Sequence, residues 1–511
     1  MVGRTAEAAR LTALWARAAA GGGEGGGSAV AVVRGMSRIG KTKFVLETLK
    51  EKGAVAFFFV SRNHFLDVLL THWRASLSEA VGVPTGEDAE GSGAVTRPIG
   101  KAALDEWAAF WEEAFATAAA HARASSRPVA ILLDGADTAE KCWPGAIERL
   151  RAVWERSERS IRAEGDGRAP GIFLVLTETV MRDPQEPPLS TVPAWNDRVA
   201  APVPVTDRFP AAERIDLRPW PPEVLRAVLS AFNPRATDED FLALWAVSGG
   251  RPDVAAAILL RGARTKDDVF FALTEPRRGF RIDSELRELR LFSDALGQHV
   301  RDVSGTAWEI VRSAAELRIR EAPGERGGLR SARRSDLAKD FRADVSGELW
   351  RLERGGMLRR VMPVAANGLR RPGLRFRLGD PVLEFCRAFI APRIGAVELE
   401  RHAELAAGLR AWWPAWRACA LEDLWAEELR RAGFPVTGPW WGPKGEHPID
   451  LVALDPEGRR AVLADVGRGE GARKSLSERA EAFFAANPDV RGWAVWMGQL
   501  EECPVWERVG R

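Results

Sequence analysis

Two glycines, an ammonium and a hydroxyl occur in fixed spacing in Gly35-Met36-Ser37-Arg38-Ile39-Gly40-Lys41-Thr42, which reads G-x-x-x-x-G-K-T. The glycines let backbone N–H groups turn inward around phosphate oxygens, and a helix starting at the lysine adds its partial positive charge. Lys41 is placed to reach β- and γ-phosphates, and the Thr42 hydroxyl to ligate Mg²⁺. The pattern has meaning only between a strand and a helix. The apolar run Ala29-Val30-Ala31-Val32-Val33 before it reads as a buried strand, and Lys43-Phe44-Val45-Leu46-Glu47-Thr48-Leu49-Lys50 after it as a helix.

Such a loop needs a carboxylate for the metal. A second buried-strand run, Val129-Ala130-Ile131-Leu132-Leu133, ends in Asp134-Gly135-Ala136-Asp137. Asp134 is the expected magnesium carboxylate, acting through water. Many P-loop ATPases carry a glutamate directly after this aspartate to polarise the attacking water; this chain has Gly135. Asp137 has two readings, a residue turned back to the γ-phosphate or a turn and helix N-cap residue. Arg198 and Arg208 are further γ-phosphate candidates, against the alternative of ordinary surface arginines.

The elements that must position these groups alternate. A helix over about Ala6 to Ala20 precedes a glycine-rich loop, Gly21 to Ser28; Ala54 to Val60 is the next strand; residues 82–100 read as an exposed loop, and a long helix runs from about Leu104 to Ala124. This order predicts an α/β fold with a parallel sheet and ligand at the carboxyl ends of its strands. The expected division is a nucleotide-binding core over 1–212, a helical lid over 213–280, a winged helix over 281–392 and a last domain over 393–511. The winged-helix reading rests on helices beginning near Ala307, Ser335 (as N-cap) and Val345, the last ended by Gly355-Gly356, then a hairpin of Met357–Val361 and Leu374–Leu378. Arg351, Arg354, Arg359, Arg360, Arg370, Arg371, Arg375 and Arg377 stand in that stretch against one acid, Glu353. They suit phosphate contacts on double-stranded DNA, unless the element packs on the ATPase as a switch.

Composition bounds the rest. A chain of 511 residues supports several domains, and 73 Lys plus Arg against 71 Asp plus Glu leaves the net charge silent about partners. The 4 cysteines, Cys142, Cys386, Cys419 and Cys503, are widely spaced, which suits a reducing cytoplasm. No apolar run reaches transmembrane length and no signal-peptide pattern opens the chain, so a cytoplasmic protein with no membrane partner is expected. The sequence holds 20 Trp and 0 Tyr, which excludes tyrosine chemistry. Oligomeric state is left open.

The loop, the D-G-A-D strand end and their spacing resemble the STAND class of P-loop ATPases, and more closely the archaeal-type ATPase family, over nearly the whole chain. The resemblance implies ATP and Mg²⁺ as ligands, with Lys41, Asp134 and Asp137 in catalysis and Gly35 to Thr42 around the phosphates. Val2-Gly3-Arg4 is similar to a V-G-R segment set against the base, which adds Gly3 and Arg4. Ile172 to Thr177 resembles the strand ending in a polar sensor position, and Gly249-Gly250-Arg251-Pro252 the G-x-P element of the lid. Asp380-Pro381 opens a segment similar to the family's link into the last domain, with Cys386 in place of an aromatic residue. That domain resembles a PD-(D/E)xK, restriction-endonuclease-like nuclease domain. The likeness implies metal acids at Glu422, Asp450 and Asp465, but the lysine position holds Gly467; Arg468 cannot donate a proton, and Lys474 is the candidate replacement. Three functions follow as expectations: an ATP-hydrolysing switch acting on or with DNA, a metal-dependent nuclease regulated by its ATPase, and a non-hydrolysing nucleotide-binding scaffold.

Overall fold

The computed structural model describes residues 3–20, 28–36, 39–60, 66–82, 101–164, 170–179, 205–274, 309–315, 331–338, 345–354, 357–364, 375–393, 395–396, 399, 401–443, 446–466 and 471–499. The chain divides into two compact units, Met1–Arg218 and Pro219–Arg511.

In the first unit, helix α1 (Thr5–Ala19) leads to β1 (Ala29–Gly35), α2 (Lys41–Leu49), β2 (Ala54–Phe59), α3 (Leu66–Val81), α4 (Lys101–Ser125), β3 (Val129–Asp134), α5 (Ala136–Cys142), α6 (Ala146–Glu164), β4 (Ile172–Thr179), α7 (Val205–Arg208) and β5 (Glu213–Leu217). The strands form one sheet in the order β2-β3-β4-β1-β5, every neighbouring pair parallel. The apolar runs are continuous because both faces are covered. Ala31 and Val33 face a cluster with Trp15, Phe44 and Val45, while Val30 and Val32 face one with Phe58, Trp73, Trp107 and Trp111. Helix α4 joins the second cluster because Trp107, Phe110, Trp111, Ala114, Phe115 and Ala118 recur at helical spacing. Each fully buried large apolar side chain contributes roughly 1.5–3 kcal/mol. The core was expected to end at 212; β5 pairs with β1, so the sheet runs on to Leu217.

In the second unit, α8 (Pro222–Phe232), α9 (Asp238–Ser248), α10 (Pro252–Leu260) and α11 (Lys266–Thr274) form a helical bundle. A capping box starts α9: Thr237 Oγ1 accepts from the Asp240 N–H at 3.2 Å, and Asp240 Oδ2 from the Thr237 N–H at 2.8 Å. Residues 309–315 are helical. They are followed by β6 (Ala332–Arg333), α12 (Arg334–Ala338), α13 (Ser346–Arg354), β7 (Leu358–Val361) and β8 (Arg375–Leu378), the strands in the order β6-β8-β7. Ser335 lies inside α12 and is not its cap; Asp336 accepts from the Arg333 N–H at 2.8 Å instead, because a carboxylate three residues on reaches a free N–H that the hydroxyl does not. The expected Gly355-Gly356 stop and the hairpin tip lie outside the described residues.

Asp380 caps α14 (Pro381–Phe385), and α15 (His402–Arg431) leads into β9 (Val436–Trp440), β10 (Ile449–Asp455), β11 (Arg460–Asp465), α16 (Gly471–Ala486) and β12 (Ala494–Gln499). The sheet order is β12-β11-β10-β9, antiparallel except for the parallel pair β11 and β12. A shared core links the helical bundle to one face of the last sheet. Leu225, Phe241, Leu244 and Ile258 of the bundle share a cluster with Phe385, Trp416 and Leu424, and with Leu451 and Ala464 of the sheet.

Candidate nucleotide site

Gly35 ends β1 where no side chain fits: a Cβ there would stand 2.6 Å from Leu217 O and 2.8 Å from Ile39 Cγ2. Gly40, at φ +92°, takes the left-handed conformation that turns the loop into α2. Lys41 then opens the helix and points back into the loop. Its Nζ donates to Gly35 O at 3.0 Å and to Met36 O at 2.9 Å. Burial pulls this lysine down to about 8, against the opposing pull of Asp137, Asp134 and Glu178.

The hydroxyl of Thr42 donates to Asp134 Oδ2 at 2.7 Å. Asp134 Oδ1 accepts from Thr177 Oγ1 at 2.6 Å, and Thr177 Oγ1 accepts in turn from the Gly135 N–H at 2.8 Å. The expected sensor position on β4 therefore holds the expected metal carboxylate. A hydroxyl and a carboxylate side by side are hard oxygen donors, the set that magnesium takes. The residues present fit a magnesium-bound triphosphate. The parallel five-stranded sheet of the first unit, with this loop at the end of β1, matches a P-loop NTPase core.

No family model matches the chain, and no curated protein matches it. Solved structures do overlap it. A Walker-type ATPase of Pyrococcus abyssi is 12% identical, with 76% of this chain and 96% of that one covered and a TM-score of 0.41. The Aeropyrum pernix ORC2 protein, as ADPNP–ADP complexes, is 15% identical over 79% and 95%, with a TM-score of 0.40. A STAND protein with a tetratricopeptide-repeat sensor from Pyrococcus horikoshii is 11% identical over 94% and 51%, with a TM-score of 0.26. Likeness at this level bears on neither substrate nor partner.

Other expected residues of the P-loop core fall differently. Asp137 sits in the first turn of α5; its Oδ1 accepts from the Thr179 N–H at 3.1 Å and its Oδ2 from Lys141 Nζ at 2.9 Å. Arg208 is not free for a phosphate, because Glu140 holds it at 3.0 Å and Glu148 at 3.6 Å. Gly3 has φ +67°, and Arg4 is buried beside Glu7 at 3.6 Å, its proton weakened by burial. Val2, Ser37, Arg38 and Arg198 lie outside the described residues.

Sequence reasoning missed a buried ion pair across the strand ends. Arg34 on β1 and Glu178 on β4 are register partners, with Arg34 Nε 3.0 Å from Glu178 Oε2. Glu178 Oε1 also accepts from the Val205 N–H at 2.8 Å, and burial raises its carboxyl above the usual range. The signal available was one charged residue interrupting each apolar run at its end.

The three acids expected to share a metal in the last domain are not assembled for it. Among the described residues no group of three or more His, Cys, Asp or Glu side chains could hold an ion. Glu422 is buried and accepts from Arg377 Nη1 at 3.0 Å, Asp450 accepts from the Val466 N–H at 3.0 Å, and Asp465 is held by both ends of the Arg479 guanidinium. Each acid is occupied because a buried carboxylate needs a donor or a countercharge. Gly467, Arg468 and the Lys474 side chain lie outside the described residues.

In the arginine stretch, Arg370, Arg371 and the side chains of Arg351 and Arg354 lie outside the described residues, and the other four have protein partners. Arg359 pairs with Asp423 at 3.0 Å, Arg377 with Glu422 and Asp423, and Arg360 with Glu353 at 2.5 Å. Arg375 donates to Ser331 O at 3.1 Å and lies over the Trp441 ring. Glu353 is the acid within the stretch, but Glu422 and Asp423 come from 45 to 64 residues away, which a local charge count does not register. Among the described residues no helix is long and apolar enough to cross a membrane.

Proposed function

We propose that the chain binds ATP with magnesium at the Gly35–Thr42 loop and works as an ATP-hydrolysing switch. The observation that carries this reading is the Thr42–Asp134 contact at 2.7 Å, between residues 92 apart in sequence. Lys41 would exchange its two loop carbonyls for phosphate oxygens, and Thr42 and Asp134 would hold the metal, Asp134 through water. Magnesium there supplies charge neutralisation of the phosphates. Thr177 keeps Asp134 in place through the 2.6 Å bond. Ser37, Arg38, Ile39 and Met36 complete the loop, and Gly3 and Arg4 are proposed beside the base.

Thermal unfolding with and without Mg-ATP tests this. At about 100 times Kd the nucleotide is expected to stabilise the protein by ~2.7 kcal/mol. Lys41→Ala should lose that stabilisation, and an unmoved wild-type Tm would end the reading.

The order of helices and strands over 309–378 supports a winged helix, and that over 402–499 a nuclease-like fold. The occupied arginines weigh against duplex DNA as its ligand, and the occupied acids against cleavage. Gly135 and Gly467 together favour the non-hydrolysing scaffold, which phosphate release would exclude.

A further inference from the structure

Three carboxylates act on the Lys41 ammonium: Asp137, Asp134 and Glu178. They differ in what their oxygens do. Asp134 accepts from two threonine hydroxyls, and Asp137 from a backbone N–H and a lysine. Glu178 accepts one hydrogen bond, at Oε1; its buried Oε2 accepts none, although Arg34 Nε stands 3.0 Å away. The strand order puts β4 between β3, which carries Asp134, and β1, which carries the loop. Side chains alternate along a strand, so Glu178 and Thr177 lie on opposite faces. Glu178 therefore stands at the ligand end of the sheet on the face away from Asp134. Gly135, the residue after Asp134, has φ +89° and offers no side chain.

We propose that Glu178 is the general base of nucleotide hydrolysis, supplying from β4 the carboxylate that Gly135 lacks. This rests on the nucleotide reading above. The water oxygen bonds to the γ-phosphorus while the bond from that phosphorus to the β–γ bridging oxygen breaks. One water proton passes to Glu178 Oε2, and nucleoside diphosphate and inorganic phosphate leave. Burial strengthens the hold of Glu178 on a proton, and Arg34 opposes this by favouring the ionised form. Arg34 cannot itself exchange protons near neutral pH.

The test follows Mg-ATP binding by calorimetry and single-turnover phosphate release in the full chain. Glu178→Gln is expected to bind Mg-ATP within about threefold of wild type while releasing phosphate about 100-fold slower or less. The single change leaves Arg34 buried without its countercharge. The double variant Arg34→Gln with Glu178→Gln removes both charges; it is expected to unfold at the wild-type temperature and remain slow. Glu178→Gln turning over within about threefold of wild type overturns the proposal. So does a double variant that regains turnover, since Glu178 would then serve only to neutralise Arg34. Wild type that binds Mg-ATP without releasing phosphate overturns the base and leaves nucleotide binding intact. Wild type that fails to bind Mg-ATP overturns the nucleotide reading, and Glu178 falls with it.

Discussion

Buried charge is handled differently at different residues of this chain. Lys41 keeps its ammonium inside the loop on two carbonyls. Glu428, on the buried side of α15, is raised to about 7 by burial first and by Glu223 second, with Arg431 and Arg226 opposing. A carboxyl whose folded pKa lies above its unfolded 4.5 binds more protons folded than unfolded. Its cost is therefore absent below about 4.5, grows through that window, and is complete above about 7. Glu428→Gln should raise Tm near pH ~8 and leave it unchanged near pH ~4, read by calorimetry at both. Equal shifts at both would mean the residue acts by packing and not by charge. At this scale the phosphate loop was legible because its chemistry is local: the glycines, lysine and threonine lie within eight consecutive positions. The Arg34–Glu178 pair was not, since its members are 144 positions apart and meet only through the β1–β4 register.

Among the elements, strands and long helices were readable from apolar periodicity, as with β1, β3 and α4. What periodicity cannot give is how one element's end is tied to another. The Gly249-Gly250-Arg251-Pro252 turn and the Asp380-Pro381 helix start are far apart in sequence and lock together. Arg251 Nη1 donates to Asp380 Oδ2 at 2.8 Å in a buried pair, and Gly250, at φ +76°, brings its carbonyl 2.6 Å from the Trp220 N–H. Asp380 Oδ1 meanwhile accepts from the Val382 and Leu383 N–H groups at 2.8 and 3.1 Å. One carboxylate thus caps a helix with one oxygen and neutralises a buried guanidinium with the other. Asp253 also holds Arg251, at 2.7 Å, so Asp380→Ala should cost about 2–3 kcal/mol, a charged hydrogen bond and a helix cap, and not the full loss of a buried charge's partner. Asp380→Asn keeps the capping oxygen and should cost less. Urea midpoints of both variants measure this; a loss of only about 1 kcal/mol in the alanine variant would reduce Asp380 to a cap.

For the molecule as a whole, elements on either side of the expected borders at 280 and 392 share buried apolar surface. Trp413 and Trp416 of α15 lie in the same cluster as Leu242, Phe270 and Leu273 of the helical bundle, and the Phe270 and Trp413 rings are 5.2 Å apart edge to face. The Val364 N–H bonds to Pro439 O at 2.9 Å, and Val364 packs in the core beneath β10 and β11. The segment after β7 thus bonds to β9, and Arg359 and Arg377 bring their charges to Glu422 and Asp423 on α15. A fragment of 393–511 would expose one side of α15 and leave buried acids without their arginines. It should unfold without a cooperative transition, whereas 219–511 should unfold in one. Circular dichroism melts of the two fragments decide: a sharp melt of the shorter one at the temperature of the longer would mean that the shared core contributes little, and that the border at 392 is a true domain boundary.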